Sequence, residues 1–193
     1  GRTGKWFALG RWGVQPDVVV FAKGVTSAYL PLGGVMVSKA IHETILDAPP
    51  AERFMHAATY SGHPTCCAVG LKTLEIYERE RLIDRAGVMG KRLFDRLQPL
   101  RDLPVVGDVR GLGLMCGVEL VEDQRTKKPA LGLGAKVLGE ARKRGLVTRM
   151  RTGQGGEHPI GDTICLAPPF VTTEEQVGQI VTILRESIAA ASR

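Results

Sequence analysis

Lys23 closes an uncharged, β-branched run, Val18-Val19-Val20-Phe21-Ala22, and is followed at once by Gly24. The run predicts a short buried strand. An ammonium at the end of such a strand is hidden only at a cost, because desolvation favours the neutral amine. A neutral amine is a nucleophile, and in a pocket its usual use is a Schiff base with a carbonyl. The alternative role is a lysine whose stem covers the strand end while its head stays in water.

Two further residues could serve chemistry. Thr59 offers a hydroxyl and a backbone N–H just before the helix that Pro64 opens, and helix starts and hydroxyls suit phosphate. Its ordinary role would be a turn or cap. Arg149 falls within an expected strand and faces the same way as Val147 and Arg151 by period-two alternation. A guanidinium fork grips a carboxylate bidentately; the ordinary role is a solvated strand arginine. His63 and Tyr60 read as packing and turn residues.

Other chemistries are set aside. Cys66, Cys67, Cys116 and Cys165 have no C-x-x-C spacing, and His42, His56, His63 and His158 form no metal pair with them, so no metal site is expected. Gly111-x-Gly113-x-x-x-Gly117 has the wrong spacing for a dinucleotide turn and reads as lying within a strand. Gly132-x-Gly134-Ala135-Lys136 lacks the Walker spacing and its Ser/Thr. The net charge of +6 is scattered apart from Lys127-Lys128 and Arg142-Lys143-Arg144, so no nucleic-acid partner is expected. No apolar run nears the length of a membrane helix and no secretory leader is seen, so the expected setting is reduced and cytoplasmic.

These residues need elements to hold them. Val35 to Ser38 predicts a second strand after the turn at Pro31 and Gly33-Gly34. A short helix is expected from Lys39, broken at Ala48-Pro49-Pro50-Ala51. Pro64 opens a helix to about Glu80. Ile83, Ala86, Gly87, Gly90, Leu93, Phe94 and Leu97 form one helical stripe, stopped by Pro104. Beyond residue 100 the pattern becomes sheet and hairpin: Val105-Val106, a strand Leu112–Leu120 and a polar turn over Glu122–Pro129. A helix near Gly134–Arg144, a strand Leu146–Met150, a Gly-rich loop Thr152–Gly161 and a strand Thr163–Leu166 follow. A last helix is expected behind a capping box, Thr172-x-x-Glu175.

Several stretches together resemble one family. Gly1-Arg2-Thr3-Gly4-Lys5-Trp6-Phe7-Ala8, Gly13-Val14-Gln15-Pro16-Asp17, and Phe21 to Val35 around the Ala22-Lys23-Gly24 centre are similar to the class III aminotransferases, pyridoxal-phosphate enzymes of fold type I. Thr59-Tyr60-Ser61-Gly62-His63-Pro64, Val109 to Leu114, and Gly145 to Arg149 with Ala167-Pro168-Pro169 match in the same order. The stretch Thr26 to Gly33 resembles most the omega-amino acid or amine:pyruvate branch.

The resemblance implies an α/β chain: residues 1–98 as the C-terminal part of the large cofactor domain with a linking helix, and residues 99–193 as the small α+β domain. It implies pyridoxal 5'-phosphate held as a Schiff base on Lys23, with transfer of an amino group from an amine or omega-amino acid to a keto acid such as pyruvate. Thr59 would reach the phosphate of the neighbouring subunit's cofactor, so the full-length protein would be a homodimer with a shared active site. Arg149 would hold the acceptor's carboxylate, with Arg151 as the alternative because the loop after it is long. The family's Asp-Glu-Val strand end, whose Asp pairs with the pyridine nitrogen, has no counterpart before Gly1, nor has its phosphate turn. The chain is therefore expected to be a C-terminal fragment, inactive alone, with residues 1–98 unstable in isolation. An aminomutase, a decarboxylating member of the superfamily and a non-catalytic remnant are the alternatives.

Overall fold

The computed structural model describes residues 1–152 and 161–193; most of the Gly-rich loop expected over Thr152–Gly161 lies outside them. The chain packs as two compact units, Ala8–Arg81 and, discontinuous in sequence, Gly1–Phe7 with Leu82–Arg193. The packing boundary thus falls before the helix that the family reading assigns to residues 1–98 as a link.

In the first unit, β1 (Val18–Ala22) and β2 (Gly33–Val37) form an antiparallel pair, with Val18 opposite Val37 and Ala22 opposite Gly33. The turn between them begins with a 3₁₀ segment, Lys23–Val25. Helix α1 (Lys39–Asp47) starts from Ser38, whose hydroxyl accepts from the Ile41 N–H, and ends at Ala48 before the two prolines. Helix α2 (Pro64–Arg79) carries its proline at the first turn, where the missing N–H costs nothing.

The expectation of a buried β1 is corrected. Its residues alternate between exposed and half-buried, and Val20 is 75% exposed. The β-branched run does make a strand, but two strands cannot cover both of their own faces. In this unit only Thr26, Gly70 and Thr73 are buried; every buried apolar side chain lies at or beyond Leu82.

The second unit holds the core. Helix α3 (Leu82–Leu97) presents Ala86, Leu93 and Leu97 fully buried. The strands β3 (Val106–Leu112), β4 (Met115–Asp123), β5 (Lys128–Pro129), β6 (Arg149–Arg151) and β7 (Thr163–Leu166) form an antiparallel sheet of order β3-β4-β7-β6, with β5 paired to β4. Helices α4 (Leu133–Lys143) and α5 (Glu174–Ala191) complete the unit. Val109, Val118 and Ile164 alternate inward from β3, β4 and β7 and join Leu184 and Ile188 of α5 in one cluster. Between them point Asp108, Arg110, Gly117, Glu119, Thr163 and Cys165, which makes the sheet's other face polar. There Arg110 bridges Asp108 and Glu119.

Three boundaries differ from expectation. The strand expected over Leu112–Leu120 is interrupted by a tight turn at Gly113-Leu114, so Gly111-x-Gly113 crosses a hairpin end instead of lying within a strand. Gly113 has φ +57, and a Cβ there would lie 2.2 Å from the Arg2 carbonyl oxygen, so only glycine fits. The strand expected over Leu146–Met150 is shorter and later, leaving Arg149 as the first residue of β6. The capping box of α5 is Thr173 with Gln176, one residue on; the Thr172 hydroxyl instead donates to the Pro169 carbonyl at 2.7 Å. Both registers satisfy the pattern, and the turn at Pro169 selects the second.

No helix among the described residues is long and apolar enough to cross a membrane.

Candidate active site

Lys23 stands where β1 ends and the chain turns. Its backbone is left-handed, φ 58, and so are Ser27 and Ala28 at 53 and 67. Left-handed geometry costs an L-residue with a Cβ about 1 kcal/mol or more. Three of the five such non-glycine residues among the described ones therefore fall within six positions of chain. The surroundings must hold this turn in place.

Several bonds do so. The Thr26 N–H donates to the Lys23 carbonyl and the Ser27 N–H to that of Gly24, each at 3.3 Å. Thr26 is 1% exposed, and its hydroxyl donates to the Leu30 carbonyl at 2.5 Å. From α2, the Tyr77 hydroxyl donates to the Gly24 carbonyl at 2.8 Å. About two turns of helix earlier, a Cβ on Gly70 would meet Leu32 at 2.9 Å, so the helix lies close on the turn. Thr26, Gly70 and Tyr77 escape sequence reasoning, since a Thr, a Gly and a Tyr at these positions read as ordinary turn and helix residues.

The turn frames an open concavity of about 650 Å³ lined by Ala22, Lys23, Thr26, Ala28, Leu30, Pro31, Leu32 and Gly33. Lys23 is exposed here, not desolvated as the buried-strand argument expects, because β1 itself is uncovered. Its amine makes no hydrogen bond or ion pair with a described residue, which leaves the nitrogen free for a carbonyl compound. A carbonyl-bearing cofactor such as pyridoxal phosphate fits this end of the site: an accessible amine on a rigid turn beside open volume.

Thr59 lies in the same unit, exposed, in the turn before α2. That turn is closed by the Ala58 N–H donating to the Ser61 hydroxyl at 3.0 Å and by the Ser61 N–H donating to the Ala58 carbonyl at 2.9 Å. His63 is the N-cap residue of α2 but gives no side-chain cap; its Nδ1 is buried and without a hydrogen-bond partner, and its ring lies 5.9 Å from that of Tyr60. Thr59 does not line the concavity at Lys23.

Arg149 belongs to the other unit. It pairs with Cys165 across β6–β7, so it projects from the polar face of the sheet together with Arg151. Both are exposed, and neither guanidinium makes a hydrogen bond or ion pair with a described residue. Among the described residues no group of three His, Cys, Asp or Glu side chains could hold a metal ion.

The family described as "Aminotransferase class-III" matches residues 1–188. The chain belongs to the class III aminotransferases. An uncharacterized aminotransferase of Bacillus subtilis is 44% identical over 97% of the chain, which spans 41% of that protein. The adenosylmethionine-8-amino-7-oxononanoate aminotransferase of Anoxybacillus flavithermus is 38% identical, again over 97% of the chain and 40% of its own length. Among solved structures, an (S)-enantioselective omega-transaminase from Thermomicrobium roseum superposes with a TM-score of 0.88 at 40% identity, covering 100% of this chain and 41% of that one. An amine transaminase from an uncultivated Pseudomonas species, with pyridoxal phosphate bound, gives 0.89 at 38% identity and covers 99% and 42%. This class III chain therefore has the type I fold of the pyridoxal-phosphate enzymes and spans about two-fifths of the length of the relatives it matches.

Proposed function

We propose that the full-length protein carrying this chain moves an amino group from an amine or omega-amino acid to a keto acid such as pyruvate, with pyridoxal 5'-phosphate bound at Lys23. The observation that carries the reading is Lys23 itself: an exposed amine, unpaired among the described residues, on a left-handed turn at a strand end and lining an open concavity. When bound, the cofactor supplies the electron sink for breaking bonds at the substrate carbon. Nζ of Lys23 would hold the cofactor, and as a free amine it would carry the proton taken from the substrate carbon. Rigidity of the turn matters because a proton carrier must stay within hydrogen-bond reach of its target.

In this reading Thr59 offers its hydroxyl to a cofactor phosphate across a homodimer, and Arg149, or Arg151 beside it, receives the carboxylate of the acceptor. Exposure of both residues in the single chain is in keeping with partners that come from outside it. The division into a large-domain part, 1–98, and a small domain, 99–193, is part of the same proposal, as is the inactivity of this chain alone. Four free cysteines suit a reducing, cytoplasmic setting.

Borohydride reduction of the full-length protein with pyridoxal phosphate, followed by peptide mapping, tests the assignment. A single adduct on Lys23 is expected; an adduct spread over surface lysines rejects it. Transfer to added pyruvate then separates amino transfer from an aminomutase or a decarboxylase on the same cofactor.

A further inference from the structure

Asp162 is fully buried, yet every oxygen it exposes to the interior is used. Its Oδ2 accepts from the Gly134 N–H at 2.8 Å, and its Oδ1 accepts from the Thr152 hydroxyl at 2.9 Å. Its own N–H donates to the Ala130 carbonyl at 3.0 Å, and its carbonyl accepts from the Leu120 N–H at 2.8 Å. One residue thus joins Leu120 within β4, Ala130 just after β5, the start of α4, the residue after β6 and the start of β7. The α4 bond is a cap from a distance, since Gly132 at the N-cap has no side chain to offer and the first-turn N–H groups favour an anion. A Cβ on Gly134 would lie 2.8 Å from both the Asp162 Cβ and the Met150 sulfur, so the helix start is pressed against Asp162 and against the middle residue of β6.

The strand that bears Arg149 needs such support. Among the described residues, β6 is an edge strand of three residues whose ladder is with β7. A strand this short frays readily unless its ends are fixed. One end is fixed by the Thr148 hydroxyl donating to the Cys165 carbonyl at 2.6 Å. The other is fixed by Thr152 on Asp162. Between these two pins stand Arg149, Met150 and Arg151.

We infer that Asp162 is a positioning residue that, through Thr152 and the start of α4, holds β6 and so sets the direction from which Arg149 meets a substrate carboxylate. The inference rests on the reading of Arg149 given above. It adds a buried determinant of acceptor binding that touches neither substrate nor cofactor.

The test uses the full-length protein, with pyruvate as the carboxylate-bearing probe and a benzylic amine as the carboxylate-free one. Thr152→Val removes one bond to Asp162 and keeps the side-chain size; Thr152→Ser keeps the hydroxyl; Asp162→Asn leaves one acceptor where two are needed. Thr152→Val and Asp162→Asn are expected to raise the KM for pyruvate at least about threefold, while the KM for the amine in the first half-reaction stays within about twofold. Thr152→Ser is expected to restore the wild-type value. A merely structural role would move both KM values together, and that result, or no change in either for Thr152→Val, overturns the inference. Arg149→Ala run in parallel separates the two layers. If it leaves the pyruvate KM unmoved, the arginine assignment fails and the role of Asp162 with it. If it raises that KM while Thr152→Val does not, only the role of Asp162 is rejected.

Discussion

Tyr77 donates its phenolic hydrogen to the Gly24 carbonyl, 2.8 Å away and 53 positions earlier in the chain. The bond ties the last turns of α2 to Gly24, the residue directly after Lys23, so the helix steadies the turn that bears the residue proposed to hold the cofactor.

Tyr77→Phe removes the hydroxyl that makes that bond. A net loss of about 1 kcal/mol is expected, or roughly a fivefold weaker hold on any state that needs the turn formed. In the full-length protein the measurement is cofactor retention on dialysis together with the thermal midpoint. Unchanged retention would mean that the left-handed turn is held without α2.

Gly113→Ala tests the closest approach in the C-terminal unit. The added carbon would stand 2.2 Å from the Arg2 carbonyl oxygen, at a φ that L-residues avoid. Across the same turn, a Cβ on Gly90 of α3 would lie 2.1 Å from the Gly113 carbonyl carbon. Each substitution is expected to cost about 2–3 kcal/mol, seen as a lower urea midpoint at constant slope. Because the two sites share one contact, the double variant should lose less than the sum.

Cys116 gives a pH signature. Burial pushes its thiol from the ordinary 9.0 up to about 11. Well below pH 9 the thiol is neutral in both the folded and unfolded chain. As pH rises from 9 toward 11 the unfolded chain ionises first, so stability falls through that window, by up to about 2.5 kcal/mol at its upper end. Urea unfolding at pH 8 and pH 10.5 should show the fall, and Cys116→Ala should flatten it. At neutral pH the folded protein should resist alkylation at Cys116.

Residues 1–98 alone are expected not to fold. Within Ala8–Arg81 no apolar side chain is buried, and Val20, Tyr29, Met55 and Leu71 are each at least 70% exposed. Hydrophobic burial is the main offset to chain entropy, and this segment has little of it. Hydrogen exchange on the isolated segment should show amide protection near that of an unfolded chain. Cooperative unfolding with native-like protection would contradict this.

Much of the site was legible because its signals are local. A β-branched run ending in Lys-Gly, a proline at a helix start and the stripe of Ile83 to Leu97 each report on a few neighbouring residues. The burial of β1 was misjudged for the opposite reason. Apolar residues state what surroundings a strand requires, whereas whether these 193 residues supply them depends on what packs there. Gly113 was hidden inside an apolar stretch, and only the close passage of Arg2 and Thr3 explains why a turn interrupts it. Asp162 was invisible as a positioning residue, since its partners Gly134 and Thr152 are brought to it by the sheet and α4.

The C-terminal unit draws its first seven residues from the other side of Ala8–Arg81. The Leu114 N–H, which donates to the Arg2 carbonyl at 2.8 Å, cannot find that partner until the ribosome has passed well beyond residue 114. The Gly1–Phe7 stretch must therefore wait through synthesis of everything between. A protease cut between residues 8 and 81 would leave the two stretches joined only by such contacts, so the Gly113 turn would then be what keeps Gly1–Phe7 and Leu82–Arg193 together.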